Sequence, residues 1–392
     1  MHIPDNYLSP QTCAVMAAAM VPVWTVSVRR LRLELSGERD SIAFSEKETI
    51  TTAKRLPMLG VAAAFSFLGM MFNIPLPGGT TGHAVGGTLL ALLVGPYGAC
   101  VSISAALLLQ ALLFGDGGIL AFGANCFNMA FVMPFVGYGL CRLIWKWSGR
   151  KNHTEDSGKT VKSRMAGVIL GSYAGINAAA LCAAIEFGIQ PMLFRDASGA
   201  ARYCPYPLAV SIPAMMAGHL TIFGLAEVVY TAAVYLFLAR TAPGVLRRFG
   251  MPEENHAVRT AEHDTKPYED QLAVGSEAAL EKAEGFHRKK VWERYGTGIL
   301  LGLLIILTPL GLLAEGTAWG EWGADEIAAT GAGYTPSGML TGFSFASLLP
   351  DYSLGGAPAA VGYILSAVVG VAILLIVFRL LSAGTERSRQ ER

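Results

Sequence analysis

The stretch "HAVGGTLLALLVGPYGACVSISAALLLQALLF", residues 83–114, contains no Asp, Glu, Lys or Arg. A helix crosses a bilayer with roughly 20 predominantly apolar residues, so a run of this length and composition belongs in a membrane. Gly95 and Pro96 interrupt it. The "GPYG" at 95–98 predicts a turn that divides the run into a short leg, 83–95, and a second leg, 98–114. The short leg is a half-helix or a re-entrant element, which a membrane tolerates only where protein surrounds it.

Further spans are predicted near residues 11–30, 56–74, 122–146, 165–189, 208–240, 295–314 and 358–380. The expected fold class is an all-α integral membrane protein, a helical bundle of about seven spans plus two C-terminal spans. Composition agrees: 53% of the residues are hydrophobic and 15% are charged, against about 25% charged in soluble domains. A net charge of +1 with no basic domain argues against a nucleic-acid partner. The six cysteines form no CxxC pair and read as small apolar packing residues.

Lys and Arg are distributed unevenly. The segments 29–55, 142–164, 240–294 and 379–392 hold 28 of the 30, and only Arg195 and Arg202 lie in a loop on the other side. Cytoplasmic loops carry the Lys/Arg excess, which predicts an N-terminus outside and a C-terminus inside. The loop 315–357 has neither Lys nor Arg but carries Glu315, Glu321, Asp325, Glu326 and Asp351. The polar segment 249–293 reads as a cytoplasmic linker. Three regions follow: a membrane domain over 1–240, a linker over 241–294 and a two-span domain over 295–392. "SGKT" at 157–160 lacks the first glycine of a phosphate-binding loop, since His153 stands there, and is expected to be a solvated turn.

The chain opens "MHIPDNYLSP", without the basic n-region or cleavage site of a signal peptide. Met1 and its free α-amine are therefore expected to be kept. An N-terminal X-His dipeptide offers three nitrogens in a row: the amine, the deprotonated His2 amide and the His2 imidazole. They close a five- and a six-membered chelate ring on one ion. His83, at the end of "IPLPGGTTGH", would supply a fourth nitrogen, and tetragonal nitrogen sets suit Cu(II) or Ni(II) while imidazole also binds Co and Zn. Alone, His83 would more often be a structural hydrogen bonder. Polar groups inside a membrane mark function by default. Gln110, Asp116, Asn125 and Asn128 are such groups, with Asn125 and Asn128 three apart and expected on one helix face, either orienting the N-terminal segment or the His83 loop or bonding between helices. His219 and Glu227, in one predicted span, form either a polar track toward the site or a structural pair. Ala14 and Ala18 make a small-xxx-small pair that permits close helix approach.

"MHIPDNYLS", "PLPGGTTGHAVGG", "QALLFGDGGILAFGANCFNM" and "GHLTIFGLAE" resemble the CbiM/NikM family over roughly residues 1–240. These are substrate-binding membrane components of energy-coupling-factor (ECF) transporters for cobalt and nickel. The resemblance implies a metal held by Met1, His2 and His83. It also implies a transmembrane coupling subunit (CbiQ/NikQ-like) and cytoplasmic ATPases (CbiO/NikO-like) as partners, in the cell inner membrane, in support of processes such as cobalamin biosynthesis. Ni(II) or Co(II) is then the transported substrate, with no organic cofactor and no catalytic residue. "LLPDYSLGGAPAAVGYILSAVVG" at 348–370 is similar to the two-span CbiN/NikN-like partner, with its PDGLE-type domain. The family usually begins closer to "MHIPDGFL", so Asn6 here replaces a glycine, and Asn tolerates left-handed backbone angles. Surroundings of Asp5 and Asn6 are the part of the pattern where this chain departs. Two rivals are a stand-alone secondary metal transporter or channel, with His219 and Glu227 as a relay, and a metal-dependent membrane hydrolase. The latter needs an open coordination position that four planar nitrogens leave little room for.

Overall fold

Ser9 starts the first membrane helix: its hydroxyl accepts from Thr12 N–H at 3.1 Å, and Pro10 follows at a position that needs no amide hydrogen. The computed structural model of the protein describes residues 1–35, 52–76, 80–151, 157–241, 295–314 and 316–390. The predicted linker lies almost wholly outside the described residues, as do residues 77–79 of the glycine–proline loop. The long helices are α1 (Pro10–Leu35), α2 (Thr52–Met70), α3 (Gly87–Leu109), α4 (Phe122–Ser148), α5 (Ser157–Gly188), α6 (Leu208–Leu220), α7 (Ile222–Thr241), α8 (Tyr295–Leu313) and α9 (Ala359–Gln390). Among the described residues seven helical segments are long and apolar enough to cross a membrane, and Leu56–Met70 is a shorter apolar helix. The protein is a multi-pass membrane bundle.

The run 83–114 reverses direction inside this bundle. Gly95 leaves helical geometry (φ 80, ψ 160) just before Pro96. Three contacts give the depth of each leg. Ser66 Oγ on α2 donates to Val85 O at 2.8 Å, Ser102 Oγ donates to Leu59 O lower on α2 at 3.0 Å, and Phe114 stacks on Phe67 at 5.6 Å. The chain descends along α2, turns at Gly95 and climbs back. Both ends of α3 thereby lie at one end of the bundle, and the left-handed angles needed for the turn fall to a glycine.

That end gathers the connections poor in Lys and Arg. Gly118 N donates to Ile3 O, Cys204 N to Tyr7 O, Gly338 N to Arg202 O and Leu349 N to Leu113 O. Residues Ile74–Leu76 and Thr80–Gly82 form a two-stranded antiparallel hairpin where the glycines and prolines forbid a helix, with Pro75 opposite Thr81. Trp319 N donates to Thr80 Oγ1 at 2.8 Å, tying the 316–358 loop to this hairpin. The C-terminal helices pack on the body through glycines: a Cβ on Gly370 would come within 2.3 Å of the Phe67 ring, and one on Gly311 within 2.4 Å of Met71 O.

Several expectations change. "SGKT" begins α5 as helix rather than a turn. The predicted span 208–240 breaks at Thr221 (φ −112, ψ −104) into α6 and α7. Ala14 and Ala18 are exposed, and it is Ala17 that approaches Gly123, while Trp24 meets Ser104 and Phe122. A Cβ on Gly123 would lie 2.5 Å from Ala17 Cα, whereas one on Gly139 would meet nothing within 4 Å. Gly123→Ala is expected to cost about 1–3 kcal/mol by overpacking, read as a lower unfolding midpoint in detergent. Gly139→Ala should leave the midpoint unchanged or raise it.

Candidate metal centre

Residues 1–9 enter the bundle as an irregular segment whose backbone is satisfied by side chains from elsewhere. Ile3 N–H donates to Asn125 Oδ1 at 2.8 Å, and Asn125 Nδ2 returns a bond to Ile3 O at 3.1 Å. Asp5 accepts from Ile119 N–H at 3.1 Å and Leu120 N–H at 2.7 Å, joining the segment to the loop before α4. Asn6 is left-handed (φ 63), and its side-chain amide accepts from Phe343 N–H at 2.9 Å and donates to Phe343 O at 2.7 Å. These clamps leave Met1, His2 and Ile3 buried.

His2 and His83 meet at the centre. His83 Nε2 is 3.1 Å from His2 Nδ1, and His2 Nδ1 is 3.1 Å from Asp116 Oδ1. His83 Nδ1 bonds Ala84 O at 3.3 Å, which leaves its Nε2 as the lone-pair atom. His2 Nε2 is buried and makes no hydrogen bond of ordinary geometry among the described residues, although Gln110 lies close enough to bear on the ring. Glu321 comes from the loop between α8 and α9: its Oε1 pairs with the Met1 ammonium and accepts the His2 N–H at 2.9 Å. The imidazole nitrogens and a Glu321 oxygen all lie within 4.8 Å of one another.

Around this core, Asp116 Oδ2 accepts from Gln110 Nε2 at 2.9 Å and from the Tyr352 hydroxyl, and Gln110 Nε2 also reaches Tyr352 at 2.8 Å. Gln110 begins a π-helical turn, Gln110–Phe114, of the kind that collects at functional sites. Glu227 grips the other side: its Oε2 accepts from Val85 N–H at 2.8 Å and Gly86 N–H at 3.0 Å, fixing the backbone beyond His83.

The predicted groupings are redistributed. Asn125 and Asn128 do not act together, because a π-helical turn starts at Cys126 between them; Asn128 Nδ2 instead donates to Glu186 at 2.9 Å. Among the described residues His219 and Glu227 share no hydrogen bond, and the break at Thr221 lies between them. His219 Nδ1 bonds Met215 O in its own helix at 2.8 Å and its ring packs edge-on against Phe223. Glu321 and Tyr352 were not foreseen as site residues. Glu321 left one signal, its place in an acidic loop with no Lys or Arg; Tyr352 sits beside Asp351 with both in left-handed geometry (φ 58 and 53).

Burial, with the neighbouring ammonium, lowers the His2 imidazole to about 4, against the opposing pull of Glu321. Burial, then His2 and the ammonium, lower His83 to about 3. Burial raises the Asp116 carboxyl. Burial also works to raise Glu321, but the ammonium and both imidazoles outweigh it and hold the carboxyl at about 2. Both imidazoles are thus neutral at neutral pH, the form a metal requires. In the unfolded chain they take up protons below about pH 6.5, so stability falls as pH drops from about 6.5 toward 4. The metal-free protein should unfold at a lower temperature at pH 5 than at pH 7, and His83→Asn should show a smaller drop. An equal drop would show that His83 is not held neutral by the fold.

The family profile described as "Cobalt uptake substrate-specific transmembrane region" (CbiM) matches residues 2–245, and the PDGLE domain matches residues 294–387. The chain is 44% identical over 394 residues to the "Probable fused nickel transport protein LarMN" of Lactiplantibacillus plantarum, covering 99% of this chain and 100% of that one. It is 43% identical over 397 residues to the "Fused nickel transport protein NikMN" of Rhodobacter capsulatus, covering 96% and 95%. Over 146 residues it is 36% identical to the "Cobalt transport protein CbiM" of Roseiflexus, covering 37% of this chain and 51% of that one. The crystal structure of a truncated transition metal transporter superposes with a TM-score of 0.50 at 50% identity, covering 61% of this chain and 99% of that chain. With a matching profile over most of its length and a relative aligned end to end, this chain belongs to the CbiM family of membrane transport proteins, in the form fused to a PDGLE domain.

Proposed function

We propose that the chain is the substrate-specific component of an ECF-type uptake transporter that captures Ni(II) or Co(II) from outside the cell. The ligands are the Met1 amine, the His2 amide nitrogen, His2 Nδ1 and His83 Nε2. One observation carries this reading: His2 Nδ1 and His83 Nε2 stand 3.1 Å apart while Met1 N and His2 N converge on a single Glu321 oxygen beside them. Four nitrogens arranged around one small space, three of them linked through a five- and a six-membered chelate ring, suit a tetragonal ion. The relatives named above as nickel and cobalt transport proteins support the choice of cargo.

For His2 to ligate through Nδ1, its proton has to move to Nε2, which makes no hydrogen bond of ordinary geometry among the described residues and has Gln110 close by. The amine and amide must each give up a proton as well, so binding weakens in acid. Asn125, Asp5 and Glu227 hold the segment and the His83 loop without spending a nitrogen of the ligand set. The domain division, 1–240, 241–294 and 295–392, separates the ligand-bearing body from the part that supplies Glu321 and Tyr352. The Lys/Arg distribution supports a site at the outer face of the inner membrane. Transport is driven by a CbiQ/NikQ-like coupling subunit and CbiO/NikO-like ATPases, after which the body reorients to release the ion inward.

His2→Ala, and separately one residue added before Met1, should each abolish stoichiometric Ni(II) and Co(II) in the purified protein. Retained binding in both would contradict the ligand set. Uptake of either metal should require the ATPase subunits; uptake without them would favour the stand-alone transporter.

A further inference from the structure

Solvent reaches this centre through oxygen, not nitrogen. The Met1 and His2 side chains are 1% and 2% exposed, whereas Glu321 and Asp116 are 18% and 21% exposed. The two carboxylates differ in what else they hold. Asp116 is committed on both oxygens, to His2, Gln110 and Tyr352. Glu321 uses Oε1 alone, and among the described residues its Oε2 accepts no hydrogen bond.

The fold holds Glu321 rigidly at this threshold. Gly320 is left-handed (φ 84), and a Cβ there would come within 2.6 Å of the Phe187 ring. Glu321 N–H closes a turn on Ala318 O at 3.0 Å, and Trp319 and Trp322 pack together with Tyr206 on either side of it. The same turn is tied to the His83 hairpin through Trp319 N and Thr80. A single carboxylate thus touches the amine and the amide, lies within 4.8 Å of both imidazoles and is open to water.

Resting on the nitrogen ligand set proposed above, we propose that Glu321 is the loading ligand of the site: an oxygen donor that takes a divalent cation from solution and passes it to Met1, His2 and His83. Hydrated Ni(II) and Co(II) accept carboxylate oxygen readily, and a negative charge at the mouth of a cleft raises the encounter rate. As the nitrogens close on the ion, the two hydrogen bonds from Met1 and His2 to Glu321 are lost. The carboxylate therefore speeds loading and, in the final state, competes with the cargo rather than holding it. A merely structural role would have the opposite signature, a loss of affinity.

The test uses the full-length protein in detergent, with Ni(II) alone as the probe. Stopped-flow absorbance follows loading, and competition with a chelator gives the dissociation constant. Glu321→Ala and the near-isosteric Glu321→Gln should slow association roughly tenfold or more, Glu321→Asp should recover part of the rate, and affinity should be unchanged or tighter with the same final spectrum. Wild-type association rates in both Glu321→Ala and Glu321→Gln would overturn the proposal, as would weakened affinity at an unchanged rate. His2→Ala keeps the two readings apart: it should prevent the final spectrum from forming at any time, and a normal spectrum there would fail the nitrogen set whatever Glu321 does.

Discussion

In the metal-free protein the burial of the N-terminus rests on one carboxylate oxygen meeting two backbone nitrogens, a pairing the bound ion replaces. A chain terminus carries a charge and unpaired N–H groups, and burying a charge is costly unless it is paired. Here Glu321 supplies the counter-charge to Met1 and the acceptor for His2 N–H. With that pair in place, the rest of the segment can be buried by ordinary means: the Asn125 clamp on Ile3, the Asp5 bonds to the 119–120 amides and the Asn6 bonds to Phe343. The consequence for function is that two potential ligand nitrogens are delivered to the same point as His2 Nδ1 and His83 Nε2.

The interaction also explains why the PDGLE part is packed into the body rather than carried beside it. Glu321 and Tyr352 both lie after α8, and both act on His2, one through its amide and the other through Asp116. The glycines on α8 and α9 allow the close approach to α2 and the turn after it that brings these side chains into range. The ring stack Phe67, Phe114 and Tyr352 joins the two parts directly beneath the site.

Much of this was legible in the sequence where local chemistry decides the outcome. "GPYG" predicted the reversal at 95–98, because only glycine takes the backbone angles found at Gly95. The Lys/Arg-poor connections were grouped on one side by charge, and they are hydrogen-bonded to one another at one end of the bundle. Asn6 was expected to tolerate a left-handed turn, and it adopts one. What failed were inferences that assumed an unbroken helix. A π-helical turn sends Asn128 to Glu186, and the break at Thr221 sends His219 and Glu227 to different neighbours. Glu321 was out of reach for another reason: more than 300 residues separate it from Met1, and no local pattern encodes a contact at that distance.

The proposed cargo site is made of four nitrogens of Met1, His2 and His83. X-ray absorption at the Ni edge of the loaded protein tests it most directly. The nitrogen set should give a four-coordinate first shell of nitrogen, with outer-shell scattering from two imidazoles and an edge shape of planar geometry. A six-coordinate shell of mixed oxygen and nitrogen with one imidazole or none would contradict it.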